Sequence, residues 1–257
     1  MKKALVLLFG ILITQITFAQ RIDLVSYDVE VGFNRAWSDT RPLDRIRRSA
    51  PSDDYFWSVG YDASMTNYYC GIKPEFAFGD FISADAGLRF TYTESRYYRN
   101  NSSYFYWLFA EDAQNTTYVR MNRIDQRSYW LGIPFDVRYT PWGIFEKGLY
   151  VKAGFALNCR LATKNDVTTS SGDMDKYSND IADQIENPNT FAVPIWLGVG
   201  FQFGRHRSAC IELTFPCFYA YAKMSSICKA KAPGVGLQFT YRIPNWKNWK
   251  NDVLLNH

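Results

Sequence analysis

From residue 22 onward the chain alternates large apolar residues with small or polar ones over stretches of roughly ten to fifteen residues, each closed by a turn. A period of two belongs to a β-strand whose two faces meet different surroundings. The clearest stretch is 149–161. Leu149, Val151, Ala153, Phe155, Leu157, Cys159 and Leu161 share one face, while Tyr150, Lys152, Gly154, Ala156, Asn158 and Arg160 share the other. Charges and small residues fall on the same face, which suits a narrow polar interior. The apolar face is therefore predicted to point outward, the pattern of a membrane barrel.

Eight such strands are predicted, at 22–34, 65–78, 81–94, 126–139, 149–161, 191–203, 208–222 and 234–243. Their connections alternate in length. Those at 79–80, 140–148 and 204–207 are tight, whereas 35–64, 95–125, 162–190 and 223–233 are long. An even strand count with short turns at one end and long loops at the other predicts an all-β fold, an eight-stranded antiparallel up-and-down transmembrane β-barrel. Both termini then face the periplasm and the long loops face outside. Pro74, Pro134, Pro194 and Pro216 fall inside these strands. A closed barrel has no free edge on which a missing N–H goes unnoticed, so bulges or strand ends are expected there.

The ends frame this domain. Lys2 and Lys3, an apolar run from Ala4 to Ile13, and Ala19 before Gln20 read as a cleaved export signal over 1–19. Gln20 stands where a lipoprotein would carry Cys, so no lipid anchor is expected. No later stretch reaches the roughly 18 apolar residues of a membrane helix. The barrel domain is placed at 20–243. The tail at 244–257, with Trp246, Lys247, Trp249 and Lys250, is predicted to be periplasmic or interfacial.

Composition sharpens the picture in two places. Aromatic residues make up 18% of the chain, with 18 Tyr beside 19 Phe. That balance suits interface girdles, where a ring is apolar on its body and wet at its tip. A net charge of +4 gives no reason to expect nucleic acid. The five cysteines, Cys70, Cys159, Cys210, Cys217 and Cys228, lack metal-site or disulfide-scaffold spacing and read mostly as small apolar fillers, with any pairing left open.

Carried through the strands, the parity collects Asp28, Glu30, Lys73, Glu75, Asp85, Arg89, Asp136, Arg138, Lys152, Arg160, Glu212 and Arg242 on the inner face. Matched charges in a lumen that side chains can fill predict an internal ion-pair network. A narrow channel is the alternative. In the first long loop, Arg41, Arg45, Arg47 and Arg48 either contact lipopolysaccharide phosphates or are simply solvated. In the second, Tyr104, Phe105, Tyr106 and Trp107 either form an exposed surface for a partner or carbohydrate, or belong to a stretch, 104–109, that extends the barrel wall or packs over its mouth. In the third, Asp166, Asp173, Asp175, Asp180 and Asp183 do not match a calcium loop. His206 and His257 are the two histidines, placed in a short turn and at the last residue. No catalytic residue, metal site or cofactor is expected.

The strand Tyr129-Trp130-Leu131-Gly132-Ile133-Pro134-Phe135-Asp136-Val137-Arg138-Tyr139 and the following Leu149-Tyr150-Val151-Lys152-Ala153-Gly154 resemble the porin-like outer-membrane β-barrel proteins of Bacteroidetes-type Gram-negative bacteria, which include PorT-like proteins linked to secretion. Gly236-Leu237-Gln238-Phe239-Thr240-Tyr241 is similar to the terminal signal by which barrel-assembly machinery recognises its clients. The resemblance implies the fold, an outer-membrane location and contact with that machinery, and no substrate. The reading that follows is a non-enzymatic outer-membrane barrel, a surface or structural protein or an accessory of a secretion or transport assembly. A partner would reach it through the outer loops. Two alternatives are a narrow porin for small solutes and a secreted lipocalin-like barrel. The lipocalin would have the faces reversed, with Leu131, Phe135 and Phe155 inside and Lys152 and Arg160 in water.

Overall fold

The computed structural model describes residues 22–40, 46–47, 61–99, 105–110, 116–144, 146–204, 208–220 and 224–245. The predicted export signal, Tyr104, His206, His257 and the four aromatic and basic residues of the tail lie outside them, as do Arg41, Arg45 and Arg48.

Eleven strands are present among the described residues. They are β1 (Ile22–Thr40), β2 (Ile46–Arg47), β3 (Tyr61–Phe78), β4 (Ile82–Ala86), β5 (Leu88–Arg99), β6 (Phe105–Ala110), β7 (Thr116–Tyr139), β8 (Gly148–Thr169), β9 (Phe191–Phe203), β10 (Ala209–Ala220) and β11 (Cys228–Pro244). All pairings are antiparallel. β1 pairs β3, β3 pairs β4 and β5, both of these pair β7, and β7 pairs β8. The row continues through β9, β10 and β11, and β11 returns to β1. With β4 and β5 sharing one position, the strands close into an up-and-down ring of eight. Closure leaves no sheet edge in the ring.

Tight turns join the ring at one end. Gly79 and Gly204 take φ of 77° and 85° there, the left-handed backbone that glycine adopts without steric cost. β1 begins and β11 ends at that same end, where Ile22 pairs Phe78 and Ser26 pairs Pro244. At the other end the strands run well past the predicted limits: β7 starts at Thr116 and β8 continues to Thr169. There β6, absent from the sequence prediction, hairpins onto the upper part of β7 and takes β2 as a neighbour. A 3-10 turn (Gly172–Tyr177) and a short helix α1 (Ser178–Gln184) replace most of the predicted acidic loop. Asp166 is in β8, and Asp173, Asp175, Asp180 and Asp183 are spread along the turn and helix. Among the described residues no group of three or more acidic, His or Cys side chains is placed to hold a metal.

Each proline is accommodated differently. Next to Pro216 the register shifts, and a second shift lies between Leu24 and Ser26, across from the Pro74 region. Pro134 lies beside Gly87, the break between β4 and β5, and Gly87 N–H donates to the Pro134 carbonyl at 3.4 Å. No reversal of parity follows, since Asp136 and Arg138 both remain buried. At Pro194 the pairing of β8 with β9 lapses between Phe155↔Ile195 and Asn158↔Ala192. A missing N–H is tolerated where no ladder bond is asked of it.

The faces are inverted relative to a water-soluble barrel. Leu131, Phe135 and Phe155 are 44%, 37% and 40% exposed, while Lys152 is 2% exposed. The lipocalin-like alternative required the reverse and is overturned. Exposed apolar residues continue around the ring through Val29, Val31, Ile72, Leu88, Leu197, Val199, Ile211, Leu213, Leu237 and Phe239.

Candidate functional site

The lumen is a stack of layers. Val25, Ala77 and Ile144 close the short-turn end. Above them lies a layer of buried charges, and above that an apolar layer of Ala36, Met65, Trp130, Ala192 and Met224. At the long-loop end a larger cluster includes Tyr97, Phe105, Trp107, Val119, Met121, Ile124, Ile181 and Ile227.

In the charged layer, strand alternation delivers one or two inward charges from each ring strand except β9, which contributes Trp196, and closure brings them within reach across the axis. Lys73 Nζ lies 2.9 Å from Glu30 Oε2, 2.8 Å from Asp85 Oδ1 and 2.5 Å from Asp136 Oδ2. Arg89 Nε contacts Glu30 Oε1 at 2.5 Å, and Lys152 Nζ contacts Glu212 Oε1 at 2.7 Å. Arg138 Nη1 meets Glu75 Oε1 at 2.9 Å, and Arg242 Nε meets Asp28 Oδ2 at 3.3 Å. These eleven of the twelve sequence-predicted lumen residues are brought together, and all eleven are buried.

Arg160 is the exception. It is half-buried, and Leu161 bulges out of register between Trp130↔Arg160 and Tyr129↔Ala162. That level is the apolar layer around Trp130, so among the described residues no carboxylate awaits the guanidinium, which donates instead to Thr163 Oγ1 at 3.3 Å. The aromatic loop surface needs a correction of the same kind. Phe105 and Trp107 are buried in the cluster over the mouth, and Trp107 Nε1 donates to Gln184 Oε1 of α1 at 3.3 Å. Tyr106 is partly exposed. The burial of large rings under α1 removes them from solvent, so they form a cap and not an exposed binding patch.

Uncharged residues that the sequence reading did not single out complete the layer. Trp196 Nε1 donates to Asp136 Oδ1 at 2.7 Å, and Tyr150 O–H donates to Glu212 Oε2 at 3.1 Å. The Arg89 guanidinium sits 4.6 Å from the ring centres of both Tyr69 and Trp196, and that of Arg138 sits 4.6 Å from Tyr150. Aromatic faces stabilise a desolvated cation that carboxylates alone do not surround. Their signal was present in the alternation, since each shares the parity of the charges. Lumen glycines make the room: a Cβ on Gly154 would lie 1.9 Å from Asp136 Oδ1, and one on Gly200 would lie 2.3 Å from the Tyr150 ring. Gly200→Val is expected to cost about 1–3 kcal/mol by displacing Tyr150. A lowered urea midpoint of the detergent-solubilised protein would register it, and an unchanged midpoint would refute the packing described.

The mouth is tied by Gln126. Its amide Nε2 lies 2.8 Å from Ser226 Oγ, 3.0 Å from Asn165 Oδ1 and 3.2 Å from the Glu186 carbonyl, and its Oε1 accepts from the Ser226 N–H at 2.8 Å. One side chain thus joins β7 to β8, to the segment after α1 and to the segment before β11. Below it, a cavity of about 30 Å³ bordered by Asn34, Asn67, Arg89 and Asn158 has room for one or two waters.

The exterior carries two aromatic bands. Phe33, Tyr68, Tyr92 and Tyr129 form a row on four neighbouring ring strands, with successive ring centres 6.5, 6.1 and 5.3 Å apart. Tyr27, Phe81, Tyr139, Trp142, Phe201 and Tyr241 are exposed toward the short-turn end. From Tyr129 to Tyr139 along β7, a rise of about 3.3 Å per residue at a tilt of ~40° gives a height of about 25 Å, the thickness of the apolar band of a transmembrane barrel. Beyond the upper row the surface turns ionic, with Arg127 3.0 Å from Asp166, and with Arg123 reaching the buried Asp125 at 2.7 Å.

No family model matches the chain, and no curated protein matches it. Among solved structures, it is similar to the outer membrane protein OprG from Pseudomonas aeruginosa, at 13% identity and a TM-score of 0.41, over 86% of this chain and 97% of that one. It is also similar to the beta domain of the Bordetella autotransporter BrkA, at 9% identity and a TM-score of 0.24, over 87% of this chain and 100% of that one. Likenesses this distant carry no functional weight, and the functional reading rests on the geometry above.

Proposed function

We propose that this chain is an integral outer-membrane β-barrel without enzymatic activity, closed by its own side chains, and serving as a surface or structural protein or as an accessory of a secretion or transport assembly. The observation that carries the reading is the inverted section: an apolar belt about 25 Å high between two aromatic bands, wrapped around a buried ion-pair layer. Water would leave that belt unsatisfied, whereas acyl chains match it. The short-turn end, with both termini of the ring, faces the periplasm. The capped end faces outward, where lipopolysaccharide and any protein partner would meet it. During biogenesis the closing strand β11 would be handled by barrel-assembly machinery. Membership among the PorT-like barrels of Bacteroidetes-type bacteria is part of this proposal and rests on the strand motifs alone.

The test is fractionation of cells expressing the full chain, followed by gel migration of the outer-membrane fraction with and without boiling. A heat-dependent shift in that fraction is the expected result. A soluble protein with no shift would sink the assignment. In planar bilayers the same material is expected to be nearly silent, because four side-chain layers obstruct the axis. Steady single-channel conductance would replace the structural reading with a narrow porin.

A further inference from the structure

The charged layer is unbalanced among the described residues. Six buried carboxylates, those of Asp28, Glu30, Glu75, Asp85, Asp136 and Glu212, face five buried cations, Lys73, Arg89, Arg138, Lys152 and Arg242. An uncompensated charge in such a place is costly, and a buried acid without its own cation keeps its proton instead.

One contact shows where. Ser26 Oγ lies 2.8 Å from Asp28 Oδ1 and 2.8 Å from Glu75 Oε2. A serine hydroxyl has one proton to donate and lone pairs that accept. It satisfies one carboxylate oxygen only, so the second carboxyl must supply the hydrogen for the other contact. The remaining oxygens distinguish the two acids. Glu75 Oε1 accepts from Arg138 Nη1 at 2.9 Å and from Ser83 Oγ at 2.7 Å. Among the described residues Asp28 Oδ2 has only longer ionic contacts, 3.3 Å to Arg242 Nε and 3.7 Å to Arg138 Nη2. The better-compensated group is the carboxylate.

The geometry points to a proton-binding site in the lumen: Asp28 is a neutral carboxylic acid that donates its O–H to Ser26 Oγ, and Ser26 in turn donates its O–H to the Glu75 carboxylate. The ligand is a single proton. Its surroundings are Arg242 from β11, Arg138 from β7, Lys73 and Glu75 from β3, and Asp85 with Ser83 from β4. With Asp28 neutral, five carboxylates balance five cations. Losing that proton to solvent leaves one surplus negative charge in a layer that has no cation to spare. The inference rests on the lumen and not on the medium outside it, so it stands or falls separately from the membrane assignment.

The experiment is infrared spectroscopy of the full chain at neutral pH in an ester-free detergent, wild type against Asp28→Asn. The wild type should show a protonated-carboxyl stretch that shifts in heavy water and is missing from the variant. Asn keeps the N–H donor to Ser26 and should fold. A second readout uses the folding equilibrium. The folded wild type holds one proton more than its unfolded chain, in which an aspartate ionises near ~3.9. Its stability should therefore fall as pH rises above that value, by about tenfold in the equilibrium constant per pH unit, until the folded acid ionises. The variant should lack that slope. No wild-type band, a band that survives in Asp28→Asn and disappears in Asp85→Asn, or identical pH slopes would each overturn the assignment.

Discussion

Lys73→Met is expected to destabilise the barrel more than any other single substitution in the lumen. Lys73 is 1% exposed and its ammonium is shared among three carboxylates on three other strands, Glu30 on β1, Asp85 on β4 and Asp136 on β7. Methionine keeps most of the volume, so the loss is one of charge and not of packing. Removing one partner of a buried pair costs about 3–5 kcal/mol, because the other is left desolvated and uncompensated. Arg89 and Lys152 stand near Asp136, at 4.0 and 3.9 Å, and would recover part of the loss there. Asp85 keeps one other cation, Arg138 at 3.8 Å, where Asp136 keeps two. Adding Asp85→Asn to Lys73→Met should therefore restore some stability, a coupling that a double-mutant cycle on urea midpoints measures directly. A single-variant cost below about 1 kcal/mol would mean that water reaches the network, as it does for surface pairs.

Ile133→Arg tests the outside in the same way. Ile133 is 45% exposed and lies near the middle of the span from Tyr129 to Tyr139. In a bilayer an arginine there costs about 2–4 kcal/mol, falling toward ~0–1 near the interfaces. In water it would be nearly free, and removing an exposed isoleucine would improve solubility. Refolding into lipid vesicles should show the full cost at Ile133. The same substitution at Tyr139, at the aromatic band, should show little. Equal and negligible costs at both positions would contradict the belt. The pair is informative because both residues sit on one strand and one face, at different depths.

The two substitutions separate the two sides of a single strand. Asp136 and Phe135 are adjacent in sequence, yet one meets Lys73 and Trp196 and the other stacks on Phe155 at 5.2 Å. Alternation makes this division legible in the sequence, since side chains of neighbouring residues must point to opposite faces. The same local rule placed the turns, the inward charges and the outward belt, and no proline disturbed the parity at Asp136 or Arg138.

Alternation says which face a residue occupies, and nothing about what lies across the lumen. Adjacent rungs even place like charges together: Glu75 pairs Asp85, Asp85 pairs Asp136, and Arg138 pairs Lys152. Opposed like charges destabilise a sheet, and here the opposite charges that relieve them include ones from strands beyond the pair, such as Glu75 for Arg138 and Glu212 for Lys152. Lys73 and Asp136 belong to strands that are not neighbours, so their contact is a product of closure. Arg160 kept its parity to the last rung and still missed the network, because a bulge and an apolar layer changed its surroundings. For Phe105 and Trp107 the sequence left exposure and packing over the mouth equally open, and β6 and α1 decided for the mouth. The sequence by itself determined the eight ring strands, their faces and eleven of the twelve inward charges, because each follows from steps of one or two residues. The tertiary structure alone decided the ion pairs, the cap and the surplus acid, because those depend on distances between segments that the chain does not connect.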